Sequence, residues 1–163
     1  MASAPANAAG GPDFDEKTYW TNRDFKTSSR LFMQHWMWQL QLGYELHPSI
    51  PPDIRNKPNL KIADVACGNG AWLFELQAPE TTQLDGYDLS SNCFGAKEWL
   101  PKNVKLVGGF DALKPLNEGL KGLYDIVHVR AFASIVKNNE VKPFIETLKG
   151  LLSMFLSLDM SRT

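Results

Sequence analysis

The chain has 163 residues, 44% of them hydrophobic and 21% charged, with a formal net charge of −1. That hydrophobic share excludes wholesale disorder, and the length supports about one core rather than a two-domain enzyme. The near-neutral balance leaves no electrostatic footprint for nucleic acid, and two cysteines, Cys67 and Cys93, are too few for a disulfide framework, so a reducing compartment is the default.

Residues 1–15 begin with Ala, Gly, Pro, Ser and Asn, carry their first charge at Asp13, and read as a disordered tail. They show neither the basic and apolar regions of a secretory signal nor the arginines of a transit peptide. No apolar run reaches the roughly 18 residues that span a bilayer. A cytoplasmic protein without a membrane partner is expected. Residues 16–58 read as a helical segment and a linker. From Trp20 to Leu46 the residues Leu31, Phe32, His35, Trp36, Gln39, Leu42 and Leu46 recur at steps of three and four. Thr27, Ser28 and Ser29 offer N-cap hydroxyls, and Gly43 interrupts or ends the helix. The aromatic residues Tyr19, Trp20, Phe25, Phe32, Trp36 and Trp38 read as core, a few of them able to wall an apolar pocket. His47 to Pro58 holds prolines at 48, 51, 52 and 58, a stiff linker that cannot be helix interior.

Residues 59–152 then change period. Strands are expected at Leu60–Val65, Thr82–Tyr87, Val104–Val107 and Tyr124–Val129. Helices are expected at Ala71–Leu76, Ser91–Leu100 and Glu140 to about Leu158, the last with Val141, Phe144, Ile145, Leu148, Leu151, Leu152 and Phe155 on one stripe. Apolar strands alternating with helices predict a doubly wound α/β fold: a parallel sheet with helices on its faces and right-handed crossovers.

The run Ile62-Ala63-Asp64-Val65-Ala66-Cys67-Gly68-Asn69-Gly70 carries most of the functional information. Gly68 and Gly70 allow a ligand to approach the backbone where a β-carbon would collide. Helical N–H groups follow, and Asp88 stands 20 residues after Gly68, where a carboxylate can accept from both hydroxyls of a ribose. Two cofactors compete. A dinucleotide fold requires a third glycine, but Leu73 occupies that position, and no Lys follows Gly70 as in a phosphate loop. S-adenosylmethionine has a ribose but no phosphates, and its ammonium suits the extra acid, Asp64. The residues favour S-adenosylmethionine over NAD.

This run resembles motif I of the class I S-adenosylmethionine-dependent methyltransferases. Leu84-Asp85-Gly86-Tyr87-Asp88-Leu89-Ser90, Val104 to Ala112 and Tyr124 to Arg130 resemble the next three motifs, in order. Arg30 to His35 and Gly43 to Pro48 resemble the N-terminal helix and linker of methyltransferases from fungal secondary-metabolite pathways. The resemblance runs from about Tyr19 to Gly150. It implies a Rossmann-like fold, S-adenosylmethionine as cofactor and a small-molecule acceptor. It also implies roles: Asp64 faces the methionine ammonium, directly or through water, and Ala66, Cys67, Gly68, Asn69 and Gly70 line the methionine and ribose. Asp88 holds the ribose, Leu89 packs near the adenine, Asp111 accepts from its amino group with Ala112 beside it, and Arg130 and Ala131 lie below the sulfonium. Ala66 stands where the pattern often has glycine.

Other readings of these residues are structural. Asp64 could be a plain strand-end acid and Asp111 a turn residue. Asp125 is expected to cap or pair at the start of the fourth strand. Cys67 reads as a small filler, since no partner that would lower its pKa is visible. His128 and His47 read as structural, and the three histidines lack metal-ligand spacing, so no metal is expected. His35 reads first as a packing histidine. It is also the candidate catalytic residue, because the resemblance implies that the N-terminal helix helps close the site, where His35 would line the substrate pocket; a base there would add only about 10² to 10⁴, since the sulfonium already makes its methyl electrophilic.

In the resembled family, a glycine turn and a fifth strand follow the segment Phe144 to Leu152, completing a larger sheet. Here residues 153–163 form an atypical tail. An incomplete sheet of about four parallel strands is expected, with the apolar fourth strand at its edge. Such an edge calls for a partner or a homodimer to cover it. Two functions follow: a small-molecule methyltransferase, or a catalytically impaired or accessory protein that keeps the cofactor half.

Overall fold

The structure, a computed structural model, describes residues 25–132, 136 and 140–153. Four strands form one parallel sheet: β1 (Lys61–Val65), β2 (Gln83–Tyr87), β3 (Val104–Val107) and β4 (Ile126–Val129). Their spatial order is β3-β2-β1-β4. The chain therefore winds outward from β1 in one direction and returns to its other side at β4. Ligands of open α/β sheets sit at such a reversal, beyond the carboxyl ends of the strands. The expected α/β fold and its four strands are present. Registers pair Asp64 with Gly86 on one side and with His128 on the other.

Side chains alternate across the sheet, as the strand period requires. Ile62, Leu84 and Ile126 join Leu60, Trp72, Leu73 and Val104 in a core on one face. Ala63, Val65, Tyr87, Tyr124, Phe132, Phe144 and Leu151 form the core on the other. The helix α3 (Ala71–Glu75) lies on the first face, and α4 (Lys142–Leu151) contributes Phe144 and Leu151 to the second. Trp72 and Leu73 are 3% and 1% exposed, and each such burial contributes about 1.5–3 kcal/mol. Gly86 sits in the middle of β2 because there is no room for anything larger. A β-carbon there would lie 2.7 Å from Leu106, 2.8 Å from Leu73 and 2.9 Å from the Cys67 sulfur. Gly86→Ala is expected to destabilise the fold by about 1–3 kcal/mol, the usual effect of overpacking. Urea denaturation measures this, and an unchanged midpoint would show that the core can yield there.

Helix α1 (Phe25–Leu42) occupies the middle of the expected helical segment, whose residues 20–24 lie outside the described ones. It ends at Gly43, whose N–H donates to the Gln39 carbonyl at 2.9 Å. A four-residue helix, α2 (Pro52–Arg55), interrupts the proline linker, with proline at its first turn where no amide is needed.

Three expectations need correction. Ser91–Leu100 is not a helix but a turn followed by a single 3-10 turn at Lys97–Trp99. The segment is largely exposed, Gly95 interrupts it and Ala96 is extended, so no buried face repays helix nucleation. Of the aromatic residues expected in the core, Tyr19 and Trp20 lie outside the described residues, Phe32 is half-buried, and Phe25, Trp36 and Trp38 are 85%, 50% and 41% exposed, with Trp38 walling the small cavity described below; only His35 of this helix is buried. α4 stops at Leu151, and its outer residues Val141 and Ile145 are exposed. β4 stands at the edge of the sheet as expected, and the chain just before it is paired. Tyr124 forms a parallel bridge with Leu152, its N–H donating to Leu151 and its carbonyl accepting from Ser153. Asp125 does pair locally: its carboxylate accepts from the Lys61 N–H at 3.0 Å and meets Lys57 at 2.6 Å. Burial alone would raise its pKa, but these donors hold it below the usual carboxylate value. The tails 1–15 and 154–163 lie outside the described residues. Among the described residues, no helix is long and apolar enough to cross a membrane.

Candidate functional site

At the end of β1 the chain turns sharply. Ala66 adopts φ 59°, and Gly68 and Gly70 follow at 63° and 81°. Left-handed backbone suits glycine and strains alanine by about 1–2 kcal/mol, so the turn is held by its surroundings. Several bonds supply that constraint. The Cys67 N–H donates to the Tyr87 carbonyl at 3.0 Å. The Gly68 N–H donates to Asp88 Oδ2 at 2.9 Å, and Asp88 Oδ1 accepts from the Ser90 N–H at 3.1 Å. Asn69 Oδ1 accepts from the Ala71 N–H and its amide donates to the Ser28 carbonyl on α1. The ends of β1 and β2 are thus cross-linked through one carboxylate. Asp88 is joined in turn to the loop after β3, where the Phe110 N–H donates to its carbonyl and the Gly109 N–H donates to that of Leu89. On that loop Asp111 Oδ1 accepts from the Leu113 N–H at 3.0 Å, while Ala112 is buried in the second core.

The second half of the site comes from β4. Alternation places His128 and Arg130 on the same face as Asp64, and the register sets His128 beside it. His128 Nδ1 is 2.7 Å from Asp64 Oδ1. The imidazole stacks on Trp72, centroids 3.8 Å apart and planes within 9°. Ala131 then turns at φ 57°, a second strained alanine opposite Ala66. These residues enclose a cavity of about 70 Å³, closed by Leu31 and Trp38 of α1. Leu31 fits so closely that a β-carbon on Gly68 would lie 2.9 Å from its methyl. A larger groove of about 700 Å³, lined by Glu45, Arg55 and Lys57 among others, lies at the opposite ends of the strands, away from the glycine turn.

Of the expected site residues, Asp64, Ala66, Cys67, Gly68, Asn69, Arg130 and Ala131 border the small cavity. Gly70 packs behind it on Phe74 and Leu106. Asp88, Leu89, Asp111 and Ala112 follow along the adjoining loops. Cys67 is buried, and burial, then the Asp64 and Asp88 carboxylates, push its thiol far above the usual range. Its sulfur fills the space beside Gly86, and a thiol kept protonated by burial is a poor nucleophile. His128 and Trp72 border the cavity too, and the sequence reading missed both. The signal was available: if β4 lies beside β1, alternation alone brings His128 and Arg130 to the side of Asp64.

His35 is fully buried beneath α1. Arg130 Nη2 is 3.0 Å from its Nδ1, and Glu75 Oε2 stands 3.5 Å from its Nε2. Burial, then Arg130, lowers the His35 pKa, with Glu75 and Glu45 opposing. Burial also lowers that of Arg130, with Asp64 opposing. The unfolded chain therefore takes up the His35 proton first as pH falls. Stability from the neutral imidazole is complete above the unfolded value of about 6.5 and is lost below it. The melting temperature is expected to fall between pH 7.5 and 5.5 more steeply in the wild type than in His35→Asn. Parallel curves would remove His35 from the pH response.

No family model matches the chain. It is 33% identical over 147 residues to Methyltransferase grgD of Penicillium, covering 84% of this chain and 49% of that one. It is 30% identical over 156 residues to N-methyltransferase verN of Clonostachys rogersoniana, covering 93% and 52%. The chain thus spans about half the length of these curated relatives. Among solved structures, a SAM-dependent methyltransferase from Aquifex aeolicus shares the fold, with a TM-score of 0.50 and 18% identity over 77% of this chain and 66% of that one.

Proposed function

We propose that the chain is a member of the class I S-adenosylmethionine-dependent methyltransferases, of the fungal kind represented by the relatives it resembles, and that it binds S-adenosylmethionine at the carboxyl ends of β1 and β2 as part of an enzyme that methylates a small molecule. The observation that carries this reading is the Asp88 carboxylate, held by the Gly68 N–H at the end of the glycine turn. That arrangement puts an acceptor for ribose hydroxyls beside a backbone without β-carbons.

The available groups suit this ligand. Asp64 is 4% exposed, and its Oδ2 accepts no hydrogen bond among the described residues, which fits an ammonium. The turn from Ala66 to Gly70 would line the methionine and ribose, with Leu89 near the adenine, Asp111 accepting from its amino group and Ala112 behind it. Arg130 and Ala131 would border the methionine end. The cavity as it stands is smaller than the roughly 300–1,000 Å³ of ordinary ligand pockets. Binding would therefore turn the Leu31 side chain off Gly68, with α1 still held through His35, Trp36 and the Ser28 carbonyl.

When bound, S-adenosylmethionine supplies an electrophilic methyl on its sulfonium. The protein's part is to orient the acceptor and exclude water. One of the two relatives, verN, is an N-methyltransferase by name, which supports a nitrogen acceptor. Calorimetry with S-adenosylmethionine tests the reading. Micromolar binding supports it; no binding by folded protein, with Asp88→Ala indistinguishable from wild type, overturns it. The second reading is an accessory protein that binds the cofactor without transferring methyl, or that works with a partner or a second copy along β4. It draws on β4 standing at the edge of the four-stranded sheet, with β1 as its neighbour on one side among the described residues. Release of S-adenosylhomocysteine with a panel of small amines would exclude it.

A further inference from the structure

We infer that Arg130 is the carboxylate-recognising arm of this site, and that His35 acts through it as a positioning residue rather than as a base. The inference rests on the cofactor reading above and assigns the far end of the ligand. Two opposite charges face one cavity from adjacent strand ends, Asp64 on β1 and Arg130 after β4. Each is only partly satisfied by protein. Among the described residues, Asp64 uses Oδ1 on His128, and the guanidinium makes one hydrogen bond, to His35. A carboxylate and a guanidinium side by side complement the two charges of an α-amino acid, the ammonium on the first and the carboxylate on the second. The methionyl end of S-adenosylmethionine is such a zwitterion.

His35 determines where the guanidinium points. Guanidinium nitrogens only donate, so the 3.0 Å contact uses the Nδ1 lone pair as acceptor. The imidazole is then the neutral tautomer with its proton on Nε2. That nitrogen is buried and faces the Glu75 carboxylate at 3.5 Å, without a hydrogen bond of good geometry among the described residues. An imidazole whose lone pair is already engaged cannot take a proton from an acceptor substrate. It can hold Arg130, whose other flank stands 6.0 Å from the Trp38 ring centroid. His35 and Trp38 both lie on α1, so the same contacts attach this helix over the cavity.

Calorimetry on the full 163-residue chain with two ligands tests this: S-adenosylmethionine, and 5′-methylthioadenosine, which keeps the adenosine and lacks the amino-acid end. Arg130→Ala is expected to weaken S-adenosylmethionine about 10- to 100-fold, the range of a charged hydrogen-bonded pair, and methylthioadenosine less than about twofold. Arg130→Lys retains the charge and is expected to lose less. His35→Leu should weaken S-adenosylmethionine about tenfold. His35→Asn should stay within about threefold of wild type, because its Oδ1 replaces Nδ1 as the acceptor. A purely structural histidine would show no such rescue, and a base would lose its function in both variants. Equal losses for both ligands in Arg130→Ala and Arg130→Lys would overturn the inference, as would no loss in either. Asparagine proving as harmful as leucine would overturn the role of His35. Failure of the wild type to bind either ligand would instead remove the cofactor reading, and this inference with it.

Discussion

Asp88→Ala is expected to lower the affinity for S-adenosylmethionine at least about 100-fold, the largest loss of any single substitution in the site. A carboxylate that accepts two ribose hydroxyls contributes about 1.5–3 kcal/mol for each charged hydrogen bond, and 2.7 kcal/mol corresponds to about 100-fold. Part of the effect acts through the turn. Asp88 Oδ2 already receives the Gly68 N–H, so its removal also loosens the glycine backbone against which the ligand would lie. Asp88→Asn keeps one acceptor oxygen and separates the two contributions. Its oxygen can still accept the Gly68 N–H while the Ser90 N–H loses its acceptor, so the turn should stay closed with a small drop in melting temperature, while the affinity still falls at least about tenfold. Because the ribose is common to both ligands, Asp88→Ala should weaken methylthioadenosine as much as S-adenosylmethionine. Arg130→Ala should weaken only the latter. Calorimetry with the two ligands therefore separates the adenosine end of the site from the methionine end. An Asp88→Ala protein that binds both as the wild type does would remove the ribose assignment.

The contrast between those two residues also shows what a sequence can convey. Gly68, Gly70 and Asp88 lie within one strand–turn–helix–strand unit, so their spacing reflects a local geometry, and that geometry was legible. Arg130 and His35 are 95 positions apart and meet only because α1 crosses the end of β4. Asp64 and His128 are 64 apart and meet because the strand order reverses beside β1. Neither pair leaves a local signature, and His128 read as structural for that reason. α1 failed differently. Its periodic apolar residues were visible, but periodicity does not say which face finds a partner. The structure buries His35 and leaves Met33, Trp36, Met37 and Leu40 in solvent. The segment 91–100 failed locally, because Gly95 and an exposed surface outweighed the helical propensity around them. Errors thus fell where long-range packing decides the outcome, or where a short segment has none to rely on.

The second large effect concerns stability and lies on the opposite face of the sheet. Asp85 is 4% exposed, and its Oδ2 accepts from both the Tyr124 hydroxyl and the Gln83 amide, each at 2.6 Å. The Tyr87 hydroxyl is 2.5 Å from that of Tyr124. With Tyr124 donating to the carboxylate, Tyr87 must donate to Tyr124, so the three groups form a chain ending in a buried acceptor. Tyr124→Phe breaks the chain in two places, withdrawing a donor from Asp85 and the acceptor from Tyr87. The expected loss is about 3 kcal/mol, since a buried carboxylate short of donors is penalised more than a neutral group. Tyr87→Phe removes only the outer link and should lose about 1 kcal/mol. Urea denaturation of the two variants gives the comparison, and equal losses would mean that Asp85 does not depend on Tyr124. An independent sign comes from pH. Burial, then the hydrogen bond to Asp85, pushes the Tyr124 hydroxyl far above its ordinary value, and burial raises Tyr87 as well. Stability is therefore complete below the unfolded value of about 10 and is lost as pH rises beyond it. The wild type should weaken steeply from pH 10 to 11, and Tyr124→Phe less so, because it has one phenol fewer to deprotonate on unfolding. If the wild-type midpoint stayed level over that range, the two phenols would have to be reached by solvent in the folded state, and the buried chain from Tyr87 to Asp85 would not exist as described.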